Sequence, residues 1–384
     1  MFKAGILKYA VIGIGRMGTI HAHNLYKGRV ASSKLVAVCD ISSDALASFA
    51  KKHPTVKCYS SHEELLDNCN FDVVIIAVPH YQHLKIAESF IIAGKNVIIE
   101  KPITVELKDA LAFCELRKKY PKSRVAIVYN QRTNSVYMRA KALIESGKLG
   151  EIRRASYIIT NWYRSDAYYA NNSWRASYCG EGGGILLNQC VHQLDILTHL
   201  LGMPINIDSR ISTVNRHITT ENDVTAIMEY KNGAFCTLSA SGHEQYGTCR
   251  LEIAGDKGRI VAHNYKMTFY AYAKSEPELN SETIKGYGSV KKKIKHYRYG
   301  YIRLLKDSLY GQQMRIIDNF TKHILKGENL IADSEEGLKA LEIINGIYLS
   351  AWCSEKIVVP IDNDLYSRML EDKREIEKNS FAER

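Results

Sequence analysis

The feature that most constrains the fold is the alternation of apolar strands and helical stretches in the first third of the chain. The segments that read as strands are residues 9–14, 34–40, 71–79, 96–102 and 124–132. Residues 71–79 are continuously apolar and rich in β-branched side chains, as strands buried on both faces tend to be. Ser61 and Glu64 have the spacing of a capping box, which predicts that a helix begins there. The alternation predicts an α/β fold, with a doubly wound parallel sheet as the first domain, residues 1–129.

Beyond Gly150 the pattern changes to strands in which polar and apolar residues alternate. The clearest examples are residues 155–160, 223–230 and 234–241, and Lys231-Asn232-Gly233 predicts a hairpin turn between the last two. Such strands are typical of an antiparallel sheet with one face covered by helices. We therefore expect residues 130–384 to form an α+β domain with an open, mostly antiparallel sheet. Its predicted helices are residues 315–325 and 334–352, and the charged segment from Tyr366 is expected to fray.

Composition and charge narrow the classes of protein. The chain has 384 residues, of which 46% are hydrophobic, and no apolar run reaches the roughly 18 residues of a membrane span. Nine cysteines without CxxC spacing indicate free thiols in a reducing cytoplasm. The net charge of +11 raises the question of nucleic acid, and residues 291–303 are the most basic segment. We expect a solvated loop or edge strand there, and no nucleic-acid or membrane partner.

A glycine-rich loop follows the first strand. Gly13, Ile14, Gly15, Arg16, Met17 and Gly18 fit the pattern GxGxxG, and Asp40 ends the next strand. The glycines let backbone N–H groups approach a pyrophosphate at the start of a helix, and the acid about twenty residues later accepts hydrogen bonds from ribose hydroxyls. An acid there repels a 2′-phosphate, so the sequence favours NAD over NADP. Ser42 and Ser43 leave NADP as an alternative, and Arg16 suits the phosphate side of either cofactor.

A second signal is Glu100-Lys101-Pro102 at the end of a predicted strand, where ligands of open α/β sheets bind. A lysine at that edge can hydrogen-bond a substrate oxygen and favour the oxyanion that develops as hydride moves. An isolated Glu-Lys-Pro, however, would more simply be a surface lysine before a turn.

A polar stripe marks the segment GEGGGILLNQCVHQLD, residues 180–195. On a helix, Asn188, His192 and Asp195 fall at i, i+4 and i+7 and share one face, which His199 continues. Imidazole titrates near neutrality, so the stripe suits proton transfer in a cleft. Two alternatives are a hydrogen-bonded core histidine and a divalent metal bound by His192, Asp195 and His199. Because the lysine and the glycine loop make a metal unnecessary, we expect none.

Taken together these motifs resemble the Gfo/Idh/MocA family of NAD(P)-dependent sugar and cyclitol oxidoreductases. The resemblance rests on GIGRMG, Asp40, AVPHYQH, EKP, YNQR, the SWR of residues 173–175, GGGILLNQCVHQLD, GKLGEIR and GDKGRI, and it runs through nearly the whole chain. It implies a Rossmann domain for the cofactor. It also implies that Lys101 is the catalytic lysine and His192 the general acid or base. Asn188 stands where the family commonly has aspartate, and an amide cannot raise the basicity of His192 as a carboxylate would.

The resemblance also implies the remaining contacts. Those assigned to the cofactor are Pro79, His80, His83, Glu100, Lys101 and Arg175, and those assigned to the substrate are Lys101, Trp162, Arg164, Asn188 and His192. Trp162 can stack on a sugar ring, and Arg132 is a further charged donor. The implied substrate is a sugar, anhydrosugar or inositol, with acidic or phosphorylated sugars as an alternative. The family also implies a homodimer or homotetramer, and it includes a non-catalytic dinucleotide sensor as the alternative function.

Overall fold

The computed structural model describes residues 5–170, 174–264, 266–282, 291–298 and 309–382. Ser173 of the SWR motif and residues 299–303 of the basic segment lie outside these ranges. The chain divides into two compact units. The first comprises residues 1–130, 180–182 and 308–341, and the second comprises residues 131–179, 183–307 and 342–384.

The strands and helices of the described residues alternate through the first third of the chain, as predicted, and a run of strands follows. The strands are β1 Leu7–Ile12, β2 Ser33–Cys39, β3 Lys57–Tyr59, β4 Val73–Ile76, β5 Asn96–Ile99, β6 Val125–Ile127, β7 Ile152–Ile159, β8 Asn206–Ser212, β9 Asp223–Glu229, β10 Phe235–Ser241, β11 Cys249–Gly255, β12 Gly258–His263, β13 Lys266–Tyr272, β14 Lys292–Arg298 and β15 Ile357–Val358. The helices are α1 Arg16–Tyr26, α2 Ser43–Lys52, α3 His62–Asn68, α4 His83–Ile92, α5 Leu107–Lys119, α6 Ser135–Glu145, α7 Asp166–Ala170, α8 Val191–Leu201, α9 Glu276–Glu282, α10 Leu309–Lys326, α11 Ser334–Cys353 and α12 Asn363–Ala382.

The first unit contains a six-stranded parallel sheet in the order β3-β2-β1-β4-β5-β6. All four residues of β4 are fully buried, as its unbroken apolar sequence predicts. The Ser61 side chain accepts a hydrogen bond from Glu64 N and so begins α3, as predicted. The strand order reverses between β1 and β4, and in such sheets ligands bind at the carboxyl ends beside that point. The doubly wound sheet predicted from the sequence is confirmed.

Helix α10 belongs to the first unit although it is distant in sequence. Ile317 and Phe320 pack in the same core as Tyr9, whose hydroxyl lies 2.7 Å from Thr321 Oγ1. Just after α10, the carbonyl of Ala332 accepts a hydrogen bond from Ile127 N in β6 at 3.1 Å. The predicted first domain, residues 1–129, does not include this segment.

The second unit contains a nine-stranded sheet in the order β14-β13-β12-β11-β7-β10-β9-β8-β15. Its described neighbours pair antiparallel except β7 and β10, which are parallel, so the mostly antiparallel sheet is confirmed. The predicted hairpin joins β9 to β10, with Tyr230 N donating to Ala234 O at 2.9 Å. Residues 292–298 of the basic segment form the edge strand β14, whose side chains are mostly exposed.

The prediction of a frayed C-terminal segment is wrong. Residues 363–382 form α12, in which Tyr366, Leu370 and Glu377 are 1%, 0% and 3% exposed. These three positions lie on one face, and the charged residues between them conceal it in the sequence. The Glu377 carboxylate accepts hydrogen bonds from Tyr178 N at 3.0 Å and Cys179 N at 2.7 Å, so the helix is tied to the segment before residue 180. None of the described helices combines the length and the apolar sequence that a membrane crossing requires.

Candidate active site

The three glycines of the loop after β1 serve different purposes. Gly13 has φ +81°, and a Cβ there would lie 2.4 Å from the carbonyl oxygen of Ala77. A Cβ on Gly18 would lie 1.7 Å from the carbonyl oxygen of Gly13. Gly15, in contrast, has no neighbouring atom within 4 Å of the position a Cβ would take. Gly13 and Gly18 are therefore required by packing, and Gly15 keeps a space open at the start of α1.

That open space suits the pyrophosphate of a dinucleotide. No side chain caps the N-terminus of α1, and its first turn contains no acidic residue. The N–H groups of the first turn therefore remain available to an anion, which the helix dipole also attracts. Arg16 is exposed at this end. Ile14 is buried and Met17 is partly buried with its sulfur 4.0 Å from Gln313 Nε2, so these two side chains pack beneath the loop.

The Asp40 carboxylate is hydrogen-bonded to the backbone of the glycine loop. Its Oδ2 accepts a hydrogen bond from Ile14 N at 2.7 Å, and its Oδ1 accepts one from Ser42 N at 2.9 Å. Each carboxylate oxygen has a second lone pair, which can accept a ribose hydroxyl. The residues at the carboxyl ends of β1 and β2 therefore fit the adenosine half of the cofactor.

Lys101 lies at the carboxyl end of β5 and is partly exposed, and the peptide bond to Pro102 is cis. The preceding Glu100 is 6% exposed. Its Oε1 lies 2.7 Å from Nε2 of the fully buried His21, and its Oε2 accepts a hydrogen bond from Lys101 N at 3.2 Å. Glu100 thus fixes the backbone on which Lys101 stands. Sequence reasoning missed His21, which lies on α1 far from Glu100 along the chain.

The two histidines of AVPHYQH lie in different surroundings. His83 is fully buried, with Nδ1 2.8 Å from the carbonyl oxygen of Pro102 and Nε2 2.8 Å from that of Val78. Burial lowers its pKa. The assignment of His83 to direct cofactor contact is therefore corrected: it ties together the loops after β4 and β5. His80 is 5% exposed, with Nδ1 3.0 Å from Glu181 O, and Pro79 is exposed beside it.

In the glycine run of residues 182–184, packing within the protein accounts for each glycine. A Cβ on Gly182 would lie 2.3 Å from Val105 Cγ1. On Gly183 it would lie 2.1 Å from Tyr348 Oη, and on Gly184 it would lie 1.9 Å from Glu221 O. Protein atoms already occupy the position that a Cβ would take at each of the three glycines, so packing alone requires glycine there.

The stripe-bearing helix has two parts. Residues Leu186–Cys190 form one π-helical turn, which continues directly as α8. Leu187, Val191 and Leu194 are completely buried, whereas Asn188, His192 and His199 are partly exposed. The π turn adds a residue to one helical turn and is a form often found at functional sites. An imidazole thus remains partly accessible on an otherwise buried helix.

Asp195 does not belong to that accessible stripe. It is fully buried, and its carboxylate accepts two hydrogen bonds from Arg132 Nε at 3.0 Å and one from Arg132 Nη2 at 2.6 Å. Arg132 is 6% exposed, so its proposed role as a substrate donor is also corrected. Because its carboxylate is engaged by a guanidinium, Asp195 is not a metal ligand. Within the described ranges, no group of three or more His, Cys, Asp or Glu side chains could hold a metal ion.

Glu221 secures the start of this helix and was not predicted. Its Oε2 accepts a hydrogen bond from Gly184 N at 3.0 Å, and its Oε1 accepts one from Leu186 N at 3.0 Å. Complete burial raises its pKa to about 7, although the N–H groups and the Tyr348 hydroxyl act in the opposite direction. No local pattern in the sequence distinguishes this glutamate from a surface one.

Trp162, Arg164 and Arg175 meet around Tyr168. The Arg164 guanidinium carbon lies 5.4 Å from the centroid of the Trp162 ring and 4.7 Å from that of Tyr168. Arg175 donates through Nη1 to Tyr168 Oη at 2.7 Å. Gln189 Nε2 donates to the same oxygen at 3.3 Å, which joins the cluster to the π turn. The structure thus places Arg175 next to the neighbouring residues Trp162 and Arg164, which it meets through Tyr168.

Comparisons with known proteins agree with this arrangement. Residues 7–128 match the model of the oxidoreductase family's NAD-binding Rossmann fold, and residues 141–359 match that of its C-terminal alpha/beta domain. The chain belongs to the Gfo/Idh/MocA family. The resemblance noted in the sequence is thereby confirmed, and so are its consequences that the Gfo/Idh/MocA chain binds NAD and is an oxidoreductase.

Curated members of the family are similar over most of their length. A myo-inositol 2-dehydrogenase of Thermotoga maritima is 26% identical over 87% of this chain and 93% of that protein. A scyllo-inositol 2-dehydrogenase (NAD(+)) of Bacillus subtilis is 28% identical over 66% of this chain and 73% of that protein. Among solved structures, the WlbA dehydrogenase of Bordetella pertussis, in complex with NADH and UDP-GlcNAcA, has a TM-score of 0.81 at 22% identity. It covers 93% of this chain and 99% of its own.

Proposed function

We propose that this family member is a dehydrogenase that transfers a hydride between nicotinamide and a ring carbon of a sugar, anhydrosugar or inositol. The observation that carries the proposal is His192, an imidazole left partly exposed on a helix whose neighbouring residues are buried. A buried helix that presents an imidazole suits general acid or base catalysis. Inositol dehydrogenases among the curated relatives support this substrate class.

Each residue of the site has its own role in the proposed hydride transfer. The N–H groups at the start of α1 and the Asp40 carboxylate would hold the dinucleotide, which when bound accepts or supplies the hydride. Lys101 donates a hydrogen bond to the reacting oxygen and stabilises the negative charge that develops there. His192 takes the proton from the hydroxyl in the oxidative direction, and Asn188 orients that hydroxyl. The alternative, in which Lys101 is the proton acceptor, uses the same residues.

Asp40 governs the choice between NAD and NADP in this proposal. Its carboxylate already accepts hydrogen bonds from two backbone N–H groups, and a 2′-phosphate beside it would meet a fixed negative charge. We therefore propose a preference for NAD.

The test is the absorbance of reduced nicotinamide, measured with inositols, aldoses, anhydrosugars and sugar acids in the presence of NAD or NADP. Loss of a proton-transfer residue typically costs about 10²- to 10⁴-fold in rate, so Lys101→Met and His192→Ala should lower kcat by that order with little change in NAD affinity. His199→Ala is the matched control, because His199 is partly exposed on the same helix and has no role in the proposal. Wild-type turnover in both active-site variants would refute these roles.

We also propose that the protein acts in the reducing cytoplasm as a homodimer or homotetramer. All nine cysteines are free, which supports the first part. The outer face of the nine-stranded sheet exposes Ile227 by 47%, Phe235 by 49% and Ile294 by 46%, which supports association through that face. Light scattering of the wild type and of Phe235→Asp would test it, since the variant should be less associated. A monomeric wild type would overturn this part of the proposal.

A further inference from the structure

The geometry points to a substrate that carries an anionic substituent, bound by Arg164 and Arg216. This inference rests on the proposed function and specifies its substrate class. The shared chemistry is a carboxylate or a phosphoryl group on a hydroxyl-rich ring. Arg216 was not singled out by the sequence, because it lies in the loop between β8 and β9.

The two arginines are held next to each other by backbone carbonyls and aromatic rings. Arg216 donates through Nε to the carbonyl oxygen of Arg164 at 2.5 Å and through Nη1 to that of Asn215 at 2.5 Å. Its guanidinium carbon lies 5.1 Å from the centroid of the Tyr163 ring. Arg164 donates through Nη1 to Tyr163 O at 2.9 Å and stacks on Trp162 and Tyr168. Stacking fixes the plane of a guanidinium without neutralising its charge.

Neither guanidinium forms an ion pair with an acidic side chain in the described part of the chain. The acid nearest in sequence to Arg164, Asp166, pairs instead with His217, Oδ2 to Nδ1 at 3.4 Å. Other arginines of the second unit do have acidic partners, such as Arg154 with Glu252 at 2.8 Å. The pKa of the exposed Asp166 carboxyl is lowered by the hydrogen bond from His217 N and, less strongly, by the positive charge of Arg216. This acid therefore offsets the charge of Arg216 only in part and from beyond ion-pair distance. Two partly buried guanidinium groups on neighbouring segments that lack a direct acidic partner favour an incoming anion.

Three donors in this cluster also lack a hydrogen-bond acceptor within the protein. They are Arg164 Nε, Arg216 Nη2 and Trp162 Nε1, and all three atoms are buried. Buried donors without acceptors are costly, so their occurrence together calls for an explanation. A carboxylate or phosphoryl group supplies several acceptor oxygens, and arginine binds such groups through paired N–H donors. A neutral ring would supply hydroxyls but would leave both guanidinium groups without a direct ion-pair partner.

The cluster is connected to the segment that carries the substrate residues. Arg164 N donates to Gly242 O at 2.8 Å, which fixes the backbone at the arginine. Tyr168, on which Arg164 stacks, accepts the hydrogen bond from Gln189, and Gln189 follows Asn188 in the chain. An anion held by the arginines would therefore bind beside the helix that presents Asn188 and His192.

The test is calorimetric titration of the NAD-loaded protein with three probes that share one ring: D-glucose, D-glucuronate and D-glucose 6-phosphate. An arginine that binds a charged group typically contributes enough to change affinity about 10- to 100-fold, so at least one anionic probe should bind more tightly than glucose by that factor. The tighter of the two anions distinguishes a carboxylate from a phosphoryl substituent. Arg216→Met should reduce the affinity for that anion to the level of glucose, and Arg216→Lys should retain part of it.

Arg210→Met is the matched control, because Arg210 is exposed on β8 and its removal changes the net charge equally. A melting temperature near that of the wild type would show that Arg216→Met is folded. If Arg216→Met does not fold, the anion affinity of Arg216→Lys tests the inference in its place. Equal affinity for all three probes, or an unchanged anion affinity in both Arg216 variants, would overturn the inference.

The anion site and the proposed function can be rejected independently of each other. If neutral rings reduce NAD in a Lys101-dependent manner and anionic rings bind no better, the dehydrogenase stands and the anion site is rejected. If the anionic probes bind through Arg216 but none of the compounds in the panel reduces NAD or NADP, the anion site stands and the proposed reaction on sugars, anhydrosugars and inositols is rejected.

Discussion

At the scale of single residues, Arg132 and Asp195 make up a buried ion pair whose two members depend on each other. Removing one partner leaves an uncompensated buried charge, which typically costs about 3–5 kcal/mol of unfolding free energy. We expect Arg132→Met and Asp195→Asn each to lose stability of that order in urea unfolding, and the combined Arg132→Met and Asp195→Leu variant to recover part of it.

The control for this prediction is Glu115→Gln on α5, which breaks an exposed pair with Lys118. Exposed pairs contribute about 0–1 kcal/mol, so this variant should unfold close to the wild type. If Arg132→Met and Asp195→Asn lost no more unfolding free energy than the control variant, the buried ion pair would not contribute to stability as predicted.

Some site residues could be predicted from local sequence and others could not. Gly15, Asp40 and Lys101 lie just after or at the ends of strands that the apolar sequence predicts, so their positions follow from the topology. Glu221 and His21 act through partners far away in the chain, Gly184 and Glu100 respectively. Only the folded structure brings such pairs together, and a single sequence contains no record of that proximity.

At the scale of elements, we expect one glycine of the loop after β1 to be needed for NAD binding and another to be needed for folding. Gly15→Ala places its Cβ in open space at a φ of −64°, so we expect a melting temperature close to that of the wild type. The same methyl group would occupy the space before α1 and should weaken NAD binding by about tenfold or more, since each 1.4 kcal/mol lost is a factor of ten.

Gly18→Ala is the matched variant in the same loop. Its Cβ would overlap the carbonyl oxygen of Gly13, and overpacking of this kind typically costs about 1–3 kcal/mol or more. Thermal unfolding and NAD titration of both variants check the pair of predictions. A Gly15→Ala protein that binds NAD as tightly as the wild type would contradict the placement of the pyrophosphate.

Elements with strong periodicity were predictable, and those held by tertiary contacts were not. The parallel strands and the β9–β10 hairpin follow from apolar runs and from Lys231-Asn232-Gly233. The π turn at Leu186–Cys190 has no signature in its five residues. Helix α12 was missed because its three buried positions are spaced among charged residues, so that composition alone suggested fraying.

At the scale of the whole molecule, Glu221 should make stability depend on pH. Because its folded pKa is about 7, above the usual glutamate value, the folded state favours the protonated form. Its stabilising contribution is therefore complete below the pKa of an unfolded glutamate, about 4.3, and is lost as pH rises to about 7. Between about pH 5 and pH 8 the wild type should lose about 2 kcal/mol of unfolding free energy relative to Glu221→Gln.

The comparison with Glu221→Gln isolates this residue. Glutamine stays neutral, and the hydrogen bond it loses at Gly184 or Leu186 shifts stability equally at every pH. Urea unfolding of both proteins across this pH range provides the measurement. Parallel pH profiles for the two proteins would show that the carboxyl group does not titrate differently on folding.

The division of the chain into units was only partly visible in the sequence. The change of pattern near Gly150 indicated two folds, but residues 308–341 return to the first unit and carry no mark of that destination. Helix α10 is amphipathic, and an amphipathic pattern does not indicate which unit its apolar face packs against. Its packing against Tyr9 is a long-range contact, which periodicity cannot assign.

The return of this segment has a consequence for synthesis on the ribosome. The core around Tyr9 lacks Ile317 and Phe320 until they emerge, and the edge of β6 lacks the carbonyl of Ala332. The nascent chain must therefore carry an unfinished parallel sheet while residues 131–307 are translated. Exposed apolar strands at this stage invite misassembly, so the protein should require chaperone protection late in translation, when most of its sequence has already been made.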